Sequence, residues 1–105
     1  MLTIAGFVTI AGELREDGCV TLRSPGILQL QSSVSGSCAS MKVTAGTTLV
    51  SSPLQPSTVA PAVDIAHRGI WVVNGSCPLV LWGPVHNSGV LQISGTGDVV
   101  FSTTV

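Results

Sequence analysis

Nowhere in this chain do apolar side chains recur at intervals of three and four through a dozen positions while Gly, Pro and β-branched residues stay rare. Without such a stripe no amphipathic helix has a side to bury. What remains is strand: short runs rich in Val, Ile, Leu and Thr, cut by clusters of Gly, Pro, Ser and Asn, the punctuation of an all-β chain.

Leu2-Thr3-Ile4 and Phe7-Val8-Thr9-Ile10 flank Gly6, a bulge or a bend, and the charged segment 13–18 turns the chain toward a strand at 19–23. Ser24-Pro25-Gly26 has the composition of a tight turn, and 27–31 then alternates apolar with polar residues, so one face of that strand is wet or meets a partner. The Ser-rich stretch 32–40 is a loop or a weak edge strand. Beyond it, 41–44 and 47–50 straddle Ala45-Gly46 like a small hairpin. Pro53, Pro56 and Pro61 give 51–61 an extended character, either an arm lying across a neighbouring subunit or a surface crossover. After strands at 63–65 and 70–73, Asn74-Gly75 fits the positive φ angles of a type I′ hairpin turn, with a return strand over 76–82. Pro78 argues for an edge position or an unpaired site near that strand's start. Strands at 90–94 and 99–105 complete the chain.

Punctuation at roughly 8 to 12 residues predicts a single small β-sandwich or barrel-like domain of about seven to nine short, mostly antiparallel strands over residues 1–105. One echo points elsewhere: Gly26-Ile27-Leu28-Gln29-Leu30 resembles Gly89-Val90-Leu91-Gln92-Ile93 in type and spacing. A true repeat would mean a duplicated half-sandwich or a solenoid. Five positions built from common strand residues are thin ground for either, and the expectation remains the sandwich or barrel.

Charge narrows the context. Only four basic and five acidic side chains occur, 9% of the residues, against about 25% in an ordinary soluble domain. The polar remainder is hydroxyl and amide, which suits contact surfaces better than solitary exposure. Arg15, Arg23, Lys42 and Arg68 are scattered, so no basic stripe addresses nucleic acid. Segment 1–11 lacks a Lys or Arg before its apolar part and alternates Thr with Ile and Val, which reads as a strand and not a signal peptide. No apolar run approaches the ~18 residues that cross a bilayer. The expectation is a protein made in a host cytoplasm, with no membrane partner.

Chemistry is thinly signalled. Cys19, Cys38 and Cys77 match neither a zinc site nor a redox pair and read as small buried apolar residues. His67 and His86 lie far apart with no clustered acids, so neither a nucleophile-base pair nor a ligand set is legible. No catalytic residue, metal or cofactor is expected. Trp71 and Trp82 would lie on the two strands of the Asn74-Gly75 hairpin and are the candidate binding residues; core packing is the alternative. Together these features predict a non-enzymatic structural protein of a self-assembling particle: a small viral or phage virion component that decorates or cements a capsid, or belongs to a tail or fibre. Its partners would be copies of itself, in a symmetric ring such as a homotrimer, and a major capsid or other virion protein. The alternative is a carbohydrate- or cell-surface-binding β-module using exposed Trp.

Overall fold

A computed structural model of the chain describes residues 2–35 and 40–101. Successive strands do not turn back on one another; after each, the chain rounds a corner into a different sheet, visiting three sheets in rotation. The first coil holds β1 (Leu2–Ile4), β2 (Phe7–Ile10) and β3 (Leu14–Arg15), and the second β4 (Val20–Leu22), β5 (Ile27–Leu30) and β6 (Val34–Ser35). The third holds β7 (Ser40–Val43), β8 (Thr48–Ser51) and β9 (Ser57–Val59), and the fourth β10 (Ala62–Ile65), β11 (Ile70–Val73) and β12 (Leu79–Leu81). The fifth ends the described residues with β13 (Val85–Asn87), β14 (Val90–Ile93) and β15 (Val99–Phe101).

Sheet A stacks β1-β4-β7-β10-β13, sheet B β2-β5-β8-β11-β14 and sheet C β3-β6-β9-β12-β15. Neighbours pair in parallel throughout. The fold is a parallel β-solenoid of five coils, measuring 29 × 28 × 25 Å. This corrects the expected antiparallel sandwich or barrel. A parallel neighbour needs a long connection, and here the other two walls of each coil supply it.

Both predicted hairpins fall with that correction. The strands beside Ala45-Gly46, β7 and β8, lie in sheets A and B; those beside Asn74-Gly75, β11 and β12, lie in B and C. Gly75 lacks the left-handed φ of a type I′ turn and instead allows a close approach, since a Cβ there would stand 2.9 Å from Pro53 Cδ. The turn expected at Ser24-Pro25-Gly26 is present as a corner, closed by Gly26 N–H donating to Arg23 O at 2.7 Å and containing a cis Ser24–Pro25 peptide. Segment 51–61 runs along the wall: the end of β8, a corner, then β9 between β6 and β12. Pro78 immediately precedes β12, an internal strand, and its carbonyl accepts from Ser57 N–H at 3.0 Å. Residues 36–39 and 102–105, parts of the Ser-rich stretch read as a loop or a weak edge strand and of the expected C-terminal strand, fall outside the described residues, as does Cys38.

Period-two alternation builds the core. Inward positions stack into columns along the axis, among them Leu2, Val20, Met41, Val63 and Val85 in sheet A and Val8, Leu28, Leu49, Trp71 and Leu91 in sheet B. In the middle coils these side chains are almost wholly buried, each stabilising the fold by about 1.5–3 kcal/mol. No buried side-chain nitrogen or oxygen among the described residues lacks a hydrogen-bond partner. The fifth coil is covered on one side only among the described residues. Ile93 is 48% exposed and Phe101 50%, whereas their counterparts one coil below, Val73 and Leu81, are 4% and 2%.

Candidate functional site

The same alternation that fills the core sends every second side chain outward, and stacking turns those side chains into rows parallel to the solenoid axis. On sheet A one row reads Thr3, Thr21, Lys42, Asp64, His86, and its last three members are exposed. On sheet B the rows read Phe7, Ile27, Thr48, Ile70, Val90 and Thr9, Gln29, Val50, Val72, Gln92. None of sheet B's strand residues is charged. Sheet C's strands have one charge, Arg15 in the first coil, with Ser35 above it; a separate outward row holds Thr58, Val80 and Val100, and Trp82 lies just beyond β12.

The nine charged residues are therefore segregated. In the middle three coils they occupy sheet A and the corner between A and B: Arg23, Lys42, Asp64 and Arg68. Glu13, Arg15, Glu16 and Asp17 cluster in the first coil, and Asp98 stands in the fifth. The acidic group is tied into its own surroundings, with Ser35 Oγ donating to Glu13 Oε1 at 2.8 Å and Gly18 N–H to Glu16 Oε1 at 3.0 Å. From sheet B around the B–C corner and across sheet C, the middle coils present an uncharged surface. Leu54 (72% exposed) stands at its corner and Trp82 (61%) near its far margin.

The two tryptophans share no pair of strands. Trp71 points inward from β11 and is wholly buried, its Nε1 donating to Ser51 Oγ at 2.9 Å, so it has no surface to offer a ligand. Trp82 follows β12 on the outside. Among the described residues, Cys19 and Cys77 are also kept apart from the histidines. Cys77 lies in the B–C corner, His67 in the A–B corner, and His86 on sheet A three coils above the level of Cys19, roughly 14 Å away at the usual strand spacing. Among the described residues no three His, Cys, Asp or Glu gather as a metal-binding group.

Sequence reasoning found the scarcity of charge and missed its arrangement. The signal was present as spacing: Thr21, Lys42, Asp64 and His86 are one coil apart, separated by 21, 22 and 22 positions. Between such points run the charge-free stretches 24–41, 43–63 and 69–97. Comparisons with family models, curated proteins and solved structures found no match to this chain.

Proposed function

We infer that this chain is a non-enzymatic structural protein of a self-assembling particle. The observation that carries the reading is the uncharged surface wrapping two of the three walls in the middle coils. Exposed apolar and hydroxyl rows without interspersed charge are poorly suited to keeping a protein dispersed and well suited to being covered by another protein. A parallel solenoid adds stiffness, since each coil is hydrogen-bonded to its neighbours along three sheets. The particle is a viral or phage virion, in which the protein decorates or cements the capsid or forms part of a tail or fibre, and many small contacts sum to a stable attachment. Light scattering of the purified chain at micromolar concentration is expected to give a mass that is a multiple of 10.7 kDa. A soluble monomer that binds no particle would overturn the reading.

A second reading, a carbohydrate- or cell-surface-binding module, draws on the exposed indole of Trp82, which offers a flat apolar face for a sugar ring. A glycan array whose hits disappear in Trp82→Ala would support it; an array with no Trp82-dependent hit would remove it.

A further inference from the structure

We propose that the uncharged face of sheet B packs on the uncharged face of sheet C of a second copy of this chain, and that repetition of this one contact closes a ring with sheet A outermost. The proposal rests on the self-assembly reading above and assigns its surfaces.

Charge selects the partner face. A surface bearing Lys, Asp or His, laid on sheet B, would lose its hydration and find no opposite charge there, which is costly. Of the three walls, A carries Lys42, Asp64 and His86, whereas B carries no charge and C only Arg15 in the first coil. The chain thus has two mutually compatible walls, and they share the B–C corner.

Spacing gives the fit. The outward rows of both walls climb at the strand separation of about 4.8 Å, so their ridges stay in step along the full height and interdigitate like the facing sheets of a sandwich about 10 Å apart. Ile70 and Val90 on sheet B and Val80 and Val100 on sheet C supply the apolar part of the contact.

Area explains why both walls are used. Strands about 4.8 Å apart, with four residues each in sheet B and two or three in sheet C at about 3.3 Å per residue, make walls of roughly 300 and roughly 200 Å², well below the ~800 Å² per partner of a stable pair. A dimer through one wall would be weak and would leave the other wall open. When every copy uses B toward one neighbour and C toward the next, the covered area per copy roughly doubles, and closure makes the contacts mutually supporting. The charges of the middle coils then remain in water.

Sedimentation velocity on Ile70→Lys and Val80→Lys tests the pairing, with the sheet signal in circular dichroism as the check on folding. Both side chains point outward; if either variant loses its fold, Thr48→Lys and Thr58→Lys replace them on the same rows. Each single variant is expected to associate at least tenfold more weakly than the parent. An equimolar mixture of the two is expected to form a weak dimer, populated only at high concentration, and nothing larger, because one intact B face meets one intact C face. Single variants that keep the parent's mass, dissociation by only one of them, or a mixture no more associated at high concentration than either variant alone would each overturn the pairing while leaving the self-assembly reading intact. A monomeric parent would sink the pairing, and one that also binds no particle would sink both.

Discussion

Trp71 Nε1 donates to Ser51 Oγ at 2.9 Å across two adjacent coils, with both side chains buried. Ser51 sits in a column otherwise filled by Ile10, Leu30, Val73 and Ile93. Its small side chain leaves room for the indole and supplies the acceptor that a buried N–H requires. Ser51→Ala keeps the room and removes the acceptor, so it is expected to lower stability by about 1–3 kcal/mol. Trp71→Phe removes the donor and part of the packing volume and should cost a comparable amount or more. Urea unfolding of both variants at one protein concentration measures this. A Ser51→Ala midpoint equal to the parent's would show that the hydrogen bond contributes nothing net.

Glycines mark where one corner rests on the next. A Cβ at Gly89 would stand 2.3 Å from Gly69 O, and one at Gly95 2.2 Å from Gly75 O, whereas one at Gly12 would meet nothing within 4 Å. The first two positions cannot take a side chain unless the stacked backbones separate. Gly89→Ala and Gly95→Ala are each expected to destabilise by about 1–3 kcal/mol, as overpacking does, with Gly12→Ala near neutral. Thermal melts of the three variants decide it. Equal shifts for all three would mean that corner stacking does not limit the fold.

The individual strands were largely legible, and their partners were not. Phe7–Ile10, Ile27–Leu30 and Ile70–Val73 stand where alternation and turn residues predicted, because period two reports which side chains share a face. It says nothing about which strand lies alongside, and with parallel pairing that strand is a whole coil away. Coil length also drifts, from Leu2 opposite Val20 to Val34 opposite Val59, which blurs any fixed repeat. Equivalent core positions differ as well: Leu49 lies under Trp71, and Ser51 under Val73. The echo of Gly26–Leu30 in Gly89–Ile93 was the repeat surfacing, since Ile27, Thr48, Ile70 and Val90 occupy one row of sheet B in successive coils. Of the surface, low charge was visible, but the confinement of the middle coils' charges to one side emerges when the coils are stacked.

Arg68 holds a φ of 69°, one coil above Gly46 with a φ of 76°, and Gly46 N–H donates to Arg68 O at 3.1 Å. Each is the third residue of a corner turn, closed by Thr47 N–H donating to Thr44 O and by Gly69 N–H to Ala66 O. A type II turn needs a positive φ at that position, which glycine adopts freely and arginine only at a cost of about 1–2 kcal/mol. Arg68 is exposed, so its replacement by Gly loses little packing; the relief of strain is partly offset by the greater freedom of glycine in the unfolded chain, about 0.5–1 kcal/mol. Arg68→Gly is therefore expected to raise stability by roughly 0.5 kcal/mol, a shift of a few degrees in Tm for a domain of this size. Gly46→Ala is expected to lower it by about 1 kcal/mol or more, since the same φ then burdens an L side chain whose Cβ also meets Ser24 Oγ at 2.8 Å. Melting both variants at equal concentration tests the sign: opposite shifts support backbone strain stored at Arg68, and a fall in Tm for Arg68→Gly would rule it out.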